Sequence, residues 1–188
     1  MTVPTHPGRR RYAPRPVDLR RSLNGALAGG VAAAVWAAQQ PLDKRVFNSQ
    51  MDDVALLGKL VTSGPSWPLP GTLLHVQNGA LFGVVYAQLR RFLPGPAPLV
   101  GLGAGMVEHL ASWTLVGFID RRHPRSSELP QLRGNQAAFW QATWRHALFG
   151  LVLGELERRL NSDIAEEPAP VPASSNGHGS MEAAVGVA

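Results

Sequence analysis

The chain has 188 residues, a formal net charge of +5 and no cysteine. Its length gives one domain and leaves little for a second, and the missing thiols exclude a disulfide framework, a thiolate metal site and a cysteine nucleophile. A mean hydropathy near zero reads as soluble, yet two polar ends dilute an apolar middle.

Residues 1–18 are the first of those ends. Arg9, Arg10, Arg11 and Arg15, with Arg20 and Arg21 just after, precede any apolar run. So little apolar surface cannot offset the entropy of ordering, so a disordered basic arm is expected. Tyr12 is its one aromatic residue, which leaves nucleic acid little to stack on. Arginines beside an apolar run suit anionic lipid instead, at about 1 kcal/mol each, and no nucleic-acid partner is expected.

The first apolar segment covers about 23–40, between Arg20-Arg21 and Pro41. Twin arginines before an Ala-rich run also imitate an export signal, and cleavage there would leave three apolar segments. The connection 41–70 contains "DDVALLGKLVTSG", which predicts a short amphipathic helix capped by Asp52 and stopped near Gly64. Val54, Leu57 and Val61 would share its apolar face, and Trp67 beyond it suits the headgroup level, so the segment reads as interfacial. Three more apolar segments follow at about 71–92, 97–119 and 137–160, and residues 161–188 form an Ala/Pro/Ser-rich tail expected to be disordered.

Each apolar segment is about 18–24 residues long, and about 20 residues of helix cross a hydrocarbon core. None has the period-2 alternation of a strand. The third carries only Glu108 and His109 as ionisable residues, where a soluble surface helix would carry a charged stripe. The expectation is an all-α fold: a four-transmembrane-helix bundle over residues 19–160, with lipid as its main partner. A soluble helical bundle is the alternative. Lys and Arg near the segment ends favour a cytoplasmic N-terminus and C-terminus, ten against seven, by the positive-inside rule.

Small residues recur four apart in every segment. Gly25 and Gly29 lie in the first, Gly79 and Gly83 in the second, Gly101 and Gly105 in the third, Gly150 and Gly154 in the fourth. On a helix that spacing makes one seam, along which backbones approach closely where lipid supplies no hydrophobic drive. The second and fourth segments share His-x3-Gly-x3-Gly, starting at His75 and His146, and both contain Ala-Leu-Phe-Gly. A duplicated helical hairpin follows, offset by 76 between the first and third segments. Between the second and fourth the offset is 71 by the histidine motif or 67 by Ala-Leu-Phe-Gly, and the sequence leaves both open. A leftover glycine face would serve a homo-oligomer.

His75, Glu108, His109 and His146 form the candidate polar cluster. Ionisable groups in a membrane helix are costly and face the bundle interior. Such a set can hydrogen-bond helices together, relay protons, or ligate a metal or haem; the first is the preferred reading and carries no cofactor and no metal. Arg145 reads as polar glue or a snorkelling end group. There is no phosphate-binding loop, no Gly-x-Ser-x-Gly elbow and no His-Glu-x-x-His, so an enzyme is not the favoured class and no catalytic residue is assigned. The Gly-rich first segment and the repeated His-x3-Gly-x3-Gly resemble small uncharacterised bacterial inner-membrane proteins of the YagU-like kind. That resemblance implies a four-helix membrane fold and carries over no reaction.

Overall fold

A computed structural model describes residues 17–164. The described part is all-helical: α1 (Leu19–Val46), α2 (Asp53–Val61), α3 (Pro68–Arg90), α4 (Ala97–Trp113), α5 (Val116–Arg122), a single 3-10 turn (Ser126–Glu128) and α6 (Gln136–Leu160). Residues 1–16 and 165–188, most of the arm and tail expected to be disordered, lie outside the described residues.

Local chemistry sets the helix starts. The side chains of Asp18, Asp52 and Asn135 accept the backbone N–H of Arg21, Ala55 and Ala138, the usual role of such residues at an N-cap. Prolines stand in the first turns of α3 and α4, where a missing N–H costs nothing.

Two boundaries differ from expectation. α1 does not stop at Pro41 but runs on to Val46, because its last turn is fixed from outside. Asp43 there accepts two bonds from Arg145 of α6 and one from Gln141, which outweighs the bond that Pro41 forfeits. The third apolar segment is two helices, α4 and α5, bent by 48° between Trp113 and Val116. α2 also turns a different face inward: Val54, Ala55 and Gly58 are buried while Val61 is exposed. Gly58 meets the backbone of Trp67 and Gly71 meets that of Val54, so a side chain at either glycine would overlap the other helix.

The glycine seams bring two antiparallel pairs into backbone contact. In the α1–α3 pair, a Cβ on Gly25 would overlap the Gly83 carbonyl, and one on Gly29 the Gly79 carbonyl. In the α4–α6 pair, Gly101 faces the Gly150 carbonyl and Gly105 the His146 carbonyl, and Gly154 lies under Ala97. These contacts choose between the two registers. Gly25 meets Gly83 and, 76 residues on, Gly101 meets Gly150, which is 67 beyond Gly83. Gly29 with Gly79 and Gly105 with His146 repeat the same offsets. The Ala-Leu-Phe-Gly register therefore aligns the contacts, and the shared histidine motif is displaced by one helical turn.

Exchanging α1 with α4 and α3 with α6 carries one set of seam contacts onto the other. In a ring of four helices, the α1–α6 and α3–α4 neighbours are then equivalent positions. They are not equally closed. α1 and α6 are held along their length by Asn24 on the Leu160 carbonyl (2.8 Å), Arg21 beside Glu157 (3.7 Å) and the Asp43–Arg145 pair. α3 and α4 stand apart, and a cleft opens between them.

Candidate functional site

The reason for the cleft can be read residue by residue. At the two offsets, Asp43 corresponds to Ile119 and Arg145 to Asn78. The charged clasp that shuts α1 on α6 thus has no charged counterpart across α3 and α4, and both Asn78 and Ile119 line the resulting cavity. It measures about 330 Å³, at the lower end of small-molecule sites, which run from about 300 to 1,000 Å³.

Its walls bring together all four residues of the predicted cluster, His75, Glu108, His109 and His146, with Trp36 between them. Trp36 is edge-on to His75 (5.1 Å between ring centroids) and to His146 (4.6 Å). His109 lies 4.9 Å from His146, ring to ring. Glycine seams make this crowding possible: α1 sits close enough to α3, and α4 to α6, for rings on adjacent helices to touch.

Hydrogen bonding fixes two of the imidazoles. The Nδ1 of His146 is 2.7 Å from the Ala142 carbonyl, which can only accept, so Nδ1 carries a hydrogen. Its Nε2 is 2.5 Å from the Glu108 carboxyl, close enough for an ion pair when the imidazole is protonated. The Thr143 hydroxyl donates its hydrogen to the Phe139 carbonyl (2.9 Å). It must therefore accept from His109 Nε2, also at 2.9 Å, which leaves His109 Nδ1 as a bare acceptor. That atom, the Nε2 of His75 and the Nε1 of Trp36 are buried with no hydrogen-bond partner in the described protein. The Glu108 side chain is still 41% exposed and Asn78 is exposed, so the cavity is open along the α3–α4 side.

The sequence reading missed the second polar centre. Arg145, 0% exposed, is no snorkelling end group. It forks onto both Asp43 oxygens (2.6 Å each), reaches Asp53 (2.5 Å) and donates to the Met51 carbonyl (3.3 Å). The available signal was compositional: one buried arginine needs an acid, and Asp43 and Asp53 flank the connection after the first segment. Next to this centre, Lys44 pairs with Asp52 at 2.6 Å. Burial pushes the Asp52 carboxyl up, but the Lys44 ammonium and the Ala55 N–H together hold it below its ordinary value. His123 joins the loop after α5 to α2, donating from Nε2 to the Leu56 carbonyl (2.9 Å) and accepting the Arg125 N–H at Nδ1 (3.0 Å).

Among the described residues, no three of His, Cys, Asp or Glu are placed to hold a metal ion. Trp36 stands between His75 and His146, which keeps the two imidazoles from converging on one point. Compared with family models, curated proteins and solved structures, the chain matches none.

Proposed function

We propose that this chain is an integral membrane protein whose four long helix segments cross the bilayer, with the His/Glu cluster set in a cleft that opens sideways between α3 and α4. The observation that carries the reading is an inversion of polarity. Buried positions are rich in Gly, Ala, His, Gln, Asp and Arg, with a few large apolar side chains such as Trp36, Tyr86, Phe149 and Leu153 among them, while most of the Leu and Val side chains of the long helices face outward. On α1 the exposed set is Leu19, Leu23, Leu27, Val31 and Val35, one per turn; on α3 it includes Leu69, Leu73, Leu81, Val85 and Leu89. In water such stripes are far larger than a monomer's usual apolar patch; in lipid they are the expected outside.

No single described helix is long and apolar enough to cross a membrane when judged by average hydropathy, and only the bent α4–α5 pair reaches that standard. The inversion accounts for this. Inward Gly, Gln and His lower the average of the long helices without touching lipid. α1, α3 and α6, with 28, 23 and 25 residues, span roughly 35–42 Å at 1.5 Å per residue.

The matched seam contacts support origin as a duplicated hairpin, and the adjacent ends of α1 and α6 put both described termini on one side, assigned to the cytoplasm by the arginine excess. Membrane fractionation tests the reading: the full chain should stay in the pellet after a carbonate wash and dissolve only in detergent. A folded, monodisperse protein in the detergent-free supernatant would overturn it. Because the chain has no cysteine, Ser127→Cys and Ser162→Cys report sidedness. An impermeant maleimide should label the first in intact cells and the second only after lysis.

A second reading rests on the close contact of His146 with the half-exposed Glu108: the cleft as a proton-conducting unit. Flux driven by a pH gradient in proteoliposomes, lost in Glu108→Gln, supports it, and equal flux in that variant removes it.

A further inference from the structure

We infer that the α3–α4 cleft is a binding site for a neutral, apolar molecule whose polar head both donates and accepts a hydrogen bond, a long-chain alcohol being the simplest case. Three side chains lining the cavity, Trp36, His75 and His109, are each more than nine-tenths buried. Each holds a polar atom with no partner in the described protein. Leaving such groups unpaired in a low-dielectric interior is costly, and where they gather in one cavity a bound group is the natural partner.

Two of these atoms specify that group. Trp36 Nε1 is a donor only and needs an acceptor. His109 Nδ1 is an acceptor, because Thr143 takes the hydrogen on Nε2, and it needs a donor. A hydroxyl supplies both functions. A carboxylate cannot donate and would sit beside Glu108, and a hydrocarbon satisfies neither. Apart from Asn78, Ser112 and Asp53, the last engaged by Arg145, the rest of the lining, Phe82, Trp113, Leu57 and Phe149 among it, suits an apolar body. The open α3–α4 side gives such a molecule a route from the surrounding lipid.

The site rests on the membrane reading for its route of entry, but not for its hydrogen-bond pattern, so the two can fail separately. The experiment uses the full chain in detergent and a diazirine-bearing dodecanol as photolabel, with cross-linked peptides mapped by mass spectrometry. Label should fall on α3 around Asn78–Phe82 and on α4 around Ser112–Trp113. Excess dodecanol should lower it at least fivefold, while dodecane and laurate leave it nearly unchanged. His109→Phe, and separately Trp36→Phe, should cut it severalfold. Label spread over outward positions such as Leu23 and Leu27, or displaced equally by dodecane or laurate, overturns the proposal. The competition uses the wild-type chain, so a variant that fails to fold does not decide it. A carbonate-soluble protein with displaceable cleft label would remove the membrane reading alone; a membrane-retained protein without it removes the site alone.

Discussion

Replacing Arg145 tests whether the closed side of the ring is held by charge. Its guanidinium serves both Asp43 oxygens, the Asp53 carboxyl and the Met51 carbonyl, and it is completely buried. Arg145→Met keeps most of the volume and removes every donor. Removing one partner of a buried ion pair costs about 3–5 kcal/mol, because the other charge is left uncompensated. Two features place this case at the low end. Asp43 keeps amide donors from Gln141 (2.6 Å) and Gln39 (2.5 Å), and the Asp53 side chain is 20% exposed and can reach solvent. A loss of about 3 kcal/mol is expected, roughly a hundredfold in the folded-to-unfolded ratio. Arg145→Lys should recover only part, since an ammonium cannot fork across a carboxylate. Arg145→Met with Asp43→Leu removes both charges and should be more stable than Arg145→Met alone. Unfolding in mixed micelles with rising dodecyl sulfate, followed by far-UV circular dichroism, measures all three. A loss under about 1 kcal/mol for Arg145→Met, or a double variant as weak as the sum of the singles, would refute the reasoning.

The glycine seam predicts opposite signs for neighbouring substitutions. Gly101→Ala overlaps the Gly150 carbonyl and should destabilise by about 1–3 kcal/mol, whereas Gly103→Ala meets nothing and should gain about 0.5–1 kcal/mol from helix propensity; the same micelle titration separates them. Nitrogen-15 spectra of histidine-labelled protein should show His109 protonated at Nε2 and bare at Nδ1, and His146 protonated at Nδ1; the reverse pattern contradicts the hydrogen-bond assignment. Asp52 is held below its ordinary carboxyl value, so its pairing adds stability above the unfolded value near pH 4 and loses it as pH falls through the folded value. The stability gap between wild type and Asp52→Asn should therefore be present at neutral pH and shrink on acidification; a gap that widens in acid reverses the sign.

What the sequence made legible follows the local character of its signals. The all-helical class, the capping at Asp52 and the glycine seams all depend on residues within a turn or two of one another, and periodicity reports such relations directly. The four cluster residues could be named because ionisable groups are conspicuous in apolar runs. Partners were another matter. Asp43 and Arg145 lie 102 residues apart, and neither announces the other, so the sequence marks Pro41 as a stop and leaves Arg145 open between polar glue and an end group; the structure makes it glue. The register of the repeat was hidden for a related reason. The sequence offers 71 and 67 equally, yet the imidazoles at 75 and 146 do different work: one meets the edge of Trp36 and lacks a partner at Nε2, the other lies against Glu108. Glycine contacts, which have no chemistry to notice, set the offset at 67. Once that offset is fixed, the cleft ceases to be an accident of packing. On the proposed duplicated hairpin the ring closes through two equivalent contacts, and here one of them holds Asp43 with Arg145 while the other has Ile119 with Asn78. The asymmetry of two side-chain pairs is what leaves an opening beside three histidines and a tryptophan, and it makes the α3–α4 side the place where this fold can meet a ligand.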